Sequence, residues 1–156
     1  MSKYSFKSVG FTKESRKYNI KSEKRVPPIG IKTPLELSDS GLFSMHFSVA
    51  DQIKDNLKNL ILTNKGERLG RFNFGADVRS LATELSSIPE FESEAMLRIK
   101  RSVGRYMPSV DLKTFETRIS ETPPDAMAKI IITIVYDVPR ASLFSQRLDL
   151  NIYAAG

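Results

Sequence analysis

The chemistry open to this chain is limited by one histidine, no cysteine and eighteen carboxylates among its 156 residues. Without cysteine there is no disulfide, no thiol nucleophile and no thiolate metal site. One imidazole cannot build a His-rich zinc or iron centre, and a serine-type triad would have to rest on it alone. That histidine, His46, stands between Met45 and Phe47. With no second histidine and no carboxylate cluster beside it in the sequence, it reads as a surface or packing residue. Glycoside hydrolysis needs two carboxyls across a cleft, one with a raised pKa. Glu67, Glu84, Glu90, Glu92 and Glu94 all lie in charged company, which keeps a carboxyl ionised. Three glycines fall between Gly66 and Gly75, but the stretch lacks the Gly-Lys-Ser/Thr ending and the preceding buried strand of a phosphate loop. No catalytic, cofactor-binding or metal-binding residue is therefore expected, and no cofactor. The candidate functional residues are those that would meet a partner.

Charge points the same way. The net charge is +6, and all of it lies in residues 1–29, where eight Lys and Arg oppose Glu14 and Glu23. From Gly30 onward cations and anions balance. The basicity belongs to an arm, not to a basic domain. Lys13, Arg16 and Lys17 are its candidate contact residues, and Tyr4, Phe6, Phe11 and Tyr18 are scattered among the cations without helical or strand period. Val26-Pro27-Pro28 ends the segment in an extended elbow. Such an arm either remains a solvated tail or docks on an acidic surface. Aromatics among cations can stack bases, but a neutral body supplies no basic face to continue a nucleic-acid site.

The elements that would carry these residues form one α+β domain over residues 30–156, with amphipathic helices packed on a small antiparallel sheet. Pro34 keeps Thr33 extended, and Asp39-Ser40-Gly41 reads as a turn. Ser48 can cap a first helix over 49–62, whose apolar stripe is Ile53, Leu57, Leu60 and Ile61. Thr63-Asn64-Lys65-Gly66 stops it, and the glycine-rich segment to Gly75 follows as a shaped loop or short hairpin. A second helix is predicted over 76–86 and a third over 90–105, acidic at its start and basic toward its end, as the helix dipole favours. Strands are predicted at 110–119, at 129–136, which is apolar on both faces and so central, and at 148–152. In the last, Leu148, Leu150 and Ile152 alternate with polar residues, the mark of a half-exposed edge strand. No apolar run approaches the roughly 20 residues that span a bilayer, and the first residues lack an apolar signal core, so a soluble, cytosol-made protein with no membrane role is expected.

The stretch Ile53 to Arg68, followed by Phe72-Asn73-Phe74-Gly75-Ala76-Asp77-Val78, resembles the GPW/gene-25-like baseplate wedge proteins of contractile-tailed phages, relatives of the small baseplate component of type VI secretion machines. The family pattern is an amphipathic helix ending in Leu-Leu-Thr, a Gly-Glu-Arg turn, then Pro-x-Phe-Gly before a helix. Thr63, Gly66-Glu67-Arg68 and Phe74-Gly75 match it, and Phe72 stands where proline is usual. After the third helix the family carries an aromatic, Glu, Pro, Arg run. Tyr106 and Pro108 keep the aromatic and the proline, whereas Met107 and Ser109 replace the charged pair. The likeness extends over about residues 30–155 and leaves out the basic arm.

This resemblance implies a structural subunit of a tail baseplate in a virion. It would be bound to larger wedge subunits around the tail tube in a sixfold assembly and would offer an edge strand to the first tail sheath ring. Either Leu148–Tyr153 or Val110–Ile119 would serve as that edge. In the loop Gly66–Gly75, Arg68 would pair with an acid and Phe74 fill a partner's pocket, unless Arg68 caps carbonyls and Phe74 joins the core. The arm, with Lys13, Arg16 and Lys17, would cross neighbouring subunits or the tube. A small lysozyme-like peptidoglycan hydrolase and a nucleic-acid binder acting through the arm are the alternatives.

Overall fold

The computed structural model describes residues 26–38, 42–84, 88–120 and 128–154. The arm up to Arg25, the Asp39–Gly41 turn, and the expectations resting on Lys13, Arg16 and Lys17 lie outside them. The chain opens with a two-stranded ribbon, β1 (Gly30–Ile31) and β2 (Met45–His46), antiparallel with Gly30 opposite His46. Three helices follow, α1 (Val49–Leu62), α2 (Val78–Glu84) and α3 (Ile88–Tyr106), and then three strands, β3 (Asp111–Ser120), β4 (Ala128–Val138) and β5 (Leu143–Ala154). The strands form an antiparallel meander with β4 in the middle. This is the expected α+β arrangement.

Period-two alternation along β4 explains how the layers stack. Ile130, Ile132, Ile134, Tyr136 and Val138 are buried, and across β5 Leu148, Leu150 and Ile152 stand opposite Ile134, Ile132 and Ile130. Leu57, Leu60 and Ile61 of α1, Val78 and Leu81 of α2, and Phe91, Ala95, Ile99 and Val103 of α3 complete one continuous core on that face. The other face of β4 carries Ile131, Thr133 and Val135, which are half-buried. Burial of the Tyr136 ring raises its hydroxyl above the ordinary value, with a smaller push from the Asp51 charge.

The differences from expectation have local causes. Helix α2 starts at Val78 rather than 76 because Ala76 and Asp77 turn their N–H groups back onto the end of α1. Helix α3 begins at Ile88 and keeps Pro89 in its first turn, where the missing N–H costs nothing. Strand β5 is longer than its alternation indicated, starting at Leu143 after a 3₁₀ turn over Pro139–Ala141. Ser48 occupies the N-cap of α1, but its hydroxyl makes no capping bond.

The ribbon was legible only as extended chain, and His46 explains its pairing to the body. The imidazole is 7% exposed, and its Nε2 lies 2.7 Å from Asp55 Oδ2 on α1. Of the two expectations His46 is thus the packing residue, and nine residues on, the helix brings it a single carboxylate. The same Asp55 oxygen accepts the Thr33 N–H at 2.9 Å and its hydroxyl at 3.1 Å, and Asn59 Nδ2 donates to Thr33 Oγ1 at 3.1 Å. Burial on its own would raise the Asp55 carboxyl. The hydrogen bonds from His46 and Thr33, with the charge of His46, outweigh it and hold the group below its ordinary 3.8. Asp55 therefore clamps the ribbon to α1 through contacts that need its ionised form.

A depressed folded pKa stabilises the protein above the ordinary carboxylate value, and the contribution is lost as pH falls through the folded value. Asp55→Ala should cost about 1–3 kcal/mol at neutral pH, the usual penalty for stranding buried polar partners. Denaturant titrations of both proteins should show this gap closing below about pH 4; a gap independent of pH would contradict the clamp.

Candidate partner-binding surface

The loop from Gly66 to Gly75 is built on the end of α1. Helix ends leave four carbonyls without intrahelical donors, and here the chain returns to satisfy them. Ala76 N–H donates to Leu60 O at 3.0 Å and Asp77 N–H to Thr63 O at 3.3 Å. This return requires glycine at 75. Its φ is +117°, and a Cβ there would overlap the Thr63 carbonyl. Ser102 of α3 donates its hydroxyl to Gly75 O at 2.9 Å, so one backbone position ties α1, the loop and α3 together.

Inside the loop, Gly66 N–H donates to Phe72 O at 2.8 Å, Arg71 N–H to Arg68 O at 3.1 Å, and Phe74 N–H to Arg71 O at 2.9 Å. The segment is a series of tight turns, not a hairpin. Glu67 folds back on the end of α1, where its carboxylate accepts the Asn64 N–H and side-chain amide, each at 2.8 Å. Among the described residues Arg68 pairs with no acid and caps no carbonyl; it is exposed, and its guanidinium lies 4.0 Å from the centroid of the Phe74 ring. Phe74 is half-buried against Tyr106, ring centroids 5.0 Å apart, and the Tyr106 hydroxyl donates to Asn73 O at 2.8 Å. Arg68, Phe74 and Tyr106 thus form one stack that braces the loop against α3.

Bracing from within leaves other side chains on the outside. Phe72 is 63% exposed and Leu69 is 96% exposed, with Gly70 at φ +76° between Leu69 and Arg71. Two large apolar groups on a stiff loop resemble a contact tip more than a solvated turn. Leu69 was missed by sequence reasoning; its signal is an isolated leucine between Arg68 and Gly70, outside any helical or strand period. Pro108 is exposed just past α3, beside the half-buried Met107. A second exposed apolar group, also missed, gathers on and beside the ribbon: Ile29, Ile31, Leu35, Leu37, Leu42 and Phe47.

The sheet has β5 as the half-exposed outer strand that its alternation indicated. Leu148, Leu150 and Ile152 are each at most 2% exposed, so their side chains belong to the core and cannot contact a partner. On β5 a partner would meet the backbone and the outward Arg147, Asp149, Asn151 and Tyr153. Asp149 is held below its ordinary range by the Thr133 hydroxyl, at 2.8 Å, and by Arg147. In the meander β3 and β5 are the two outer strands. Among the described residues no three His, Asp or Glu groups gather as a metal site, and no helix is long and apolar enough to cross a membrane.

No protein-family model matches the chain, and no curated protein sequence does. Solved structures that match the chain include two that share its fold. One is a chain of the anti-feeding prophage baseplate, solved by cryo-electron microscopy with sixfold symmetry. It is 20% identical over 69% of this chain and 82% of that one, with a TM-score of 0.58. The other, from Geobacter sulfurreducens, is described as a candidate tail lysozyme, 17% identical over 68% of this chain and 89% of that one, with a TM-score of 0.50. Both agree with the fold of the GPW/gene-25-like baseplate proteins that the loop sequence resembles.

Gly75→Ala should destabilise the protein by about 1–3 kcal/mol or more, because the new methyl meets backbone that cannot yield. Phe72→Ala should change stability by no more than about 0.5 kcal/mol. Thermal unfolding of the two variants checks the pair, and equal losses would mean that Phe72 also braces the fold.

Proposed function

We propose that this protein is a non-enzymatic wedge subunit of a contractile tail baseplate, joining larger wedge proteins around the tail tube and offering a sheet edge to the first sheath ring. The observation that carries the reading is the braced Gly66–Gly75 loop, whose internal stack of Arg68, Phe74 and Tyr106 holds Leu69 and Phe72 outward. A monomer gains nothing from a stiff apolar tip, whereas an assembly gains a preformed contact with little ordering cost. The shared fold with a baseplate chain supports the same reading. The outer strands fit it as well, since unpaired backbone groups on β3 or β5 can accept a partner strand. In this reading Glu67 and Gly75 shape the contact from within. Lys13, Arg16 and Lys17 on the arm would reach an acidic neighbour, and their ordering would be offset only in the complex.

The tail-lysozyme description of the second relative favours a peptidoglycan hydrolase as the other reading. The carboxylates argue against it. Glu94 and Asp77 are both engaged by Arg98, at 3.0 and 3.4 Å, and Glu67 is spent on Asn64. A glycosidase acid needs a desolvated carboxyl with raised pKa, not one beside a guanidinium.

Leu69→Asp with Phe72→Asp should leave the isolated protein folded and lower its incorporation into purified tail particles at least about tenfold, by desolvating charge in a contact. Deleting residues 2–26 should likewise spare the fold and weaken assembly. Undiminished incorporation of the loop variant, or turnover of purified peptidoglycan by the isolated chain, would overturn the proposal.

A further inference from the structure

On the side of Tyr106 away from the Arg68 stack, a cleft of about 430 Å³ runs between the loop base and α3. Its floor is formed by the buried Gly75, Ala76 and Ser102. Its walls carry Lys65 from the turn after α1, and Arg98, Arg101 and Arg105 from α3, with Asp77 and Glu94 as the acids. Arg98 takes both acids, and its Nη1 also donates to Asp77 O at 2.9 Å and Ser80 Oγ at 3.1 Å. That leaves Lys65, Arg101 and Arg105 exposed and without an ion pair among the described residues, with the Arg105 guanidinium 5.3 Å from the centroid of the Tyr106 ring.

The arrangement is not accounted for by the helix alone. A basic last turn suits the dipole, which explains Arg105. Arg101 stands four residues earlier, and like charges at that spacing repel. Lys65, from a different element, adds a third positive charge to the same cleft. The body from Gly30 onward is neutral, so this is a local excess: the basic end of α3 is legible in the sequence, and the fold adds Lys65 to it.

We infer that the cleft between α3 and the base of the Gly66–Gly75 loop binds an acidic peptide segment of a partner protein, with Lys65, Arg101 and Arg105 reading its carboxylates. Its volume lies in the range that takes several side chains, more than a single inorganic ion needs. Three cations without ion pairs in one cleft are fewer than the line of contacts that tracks a nucleic-acid backbone. Guanidinium groups near one another on a cleft wall suit bidentate carboxylate recognition. The partner being a baseplate protein rests on the assembly reading above; binding of an acidic peptide to the isolated chain does not.

The test is fluorescence anisotropy on the full chain, with a labelled peptide of about ten alternating Glu and Asp residues as the probe, and a single-stranded oligonucleotide of equal charge as the competitor. Arg101→Gln with Arg105→Gln should weaken peptide binding about tenfold and leave the protein folded with a nearly unchanged thermal midpoint, the relieved repulsion being set against the lost contact of Arg105 with the Tyr106 ring. Lys65→Gln, on another element, should weaken it about threefold and serves if the double variant fails to fold. Lys13→Gln, Arg16→Gln and Lys17→Gln together should change the affinity less than the cleft variant does, which separates the cleft from the arm. Binding that is insensitive to both cleft variants, or lost only with the arm variant, would overturn the inference. So would an oligonucleotide that displaces the peptide and outbinds it through Arg101 and Arg105. A particle study that fails while peptide binding holds would count against the baseplate reading and not against the cleft.

Discussion

The close approach of Gly75 to the Thr63 carbonyl is the constraint on which the rest of the molecule depends. It lets the chain double back after α1, so that Ala76 and Asp77 satisfy that helix's last carbonyls and Ser102 reaches the same backbone from α3. A ten-residue excursion is thereby pinned at its base. Because the base is fixed, the loop can be braced on one side by Arg68, Phe74 and Tyr106, and the cleft can open on the other. Both candidate surfaces are consequences of one glycine in a conformation that other residues rarely adopt.

A division of labour follows within the loop. Glu67, Arg68 and Phe74 are spent internally, on Asn64, on the Phe74 ring and on Tyr106 respectively. What they hold in place, Leu69 and Phe72, is largely exposed and has no partner among the described residues to match its apolar area. The structure thus separates residues that shape a contact from residues that would make it, although they alternate within ten positions of the chain. The sheet makes the same separation along β5, where Leu148, Leu150 and Ile152 hold the strand to the core and leave the backbone edge and alternate side chains outward.

How much of this could be read beforehand depended on whether the signal was local. Helix α1 matches its stripe of Ile53, Leu57, Leu60 and Ile61 to the residue, and the isoleucine run of β4 declared a central strand with helices on one face. These are periodicities, and periodicity survives in sequence. The His46–Asp55 contact and the β1–β2 ribbon were not legible, because they join residues through a helix turn and a hydrogen-bond network that no period announces. The internal use of Arg68 also could not be foreseen: a cation six residues before an aromatic pairs with it only once the intervening turns are known. The basic end of α3 was legible, but only the fold adds Lys65, from the turn after α1, to the cleft.

The account stands on the claim that these surfaces are completed by other chains. Its most direct test is a density map of tail particles purified from cells that make this protein. The account predicts symmetry-related copies in the baseplate, with the loop tip at Leu69 and Phe72 covered by a neighbouring subunit. Particles that lack the chain, or hold it with that tip facing solvent, would contradict it.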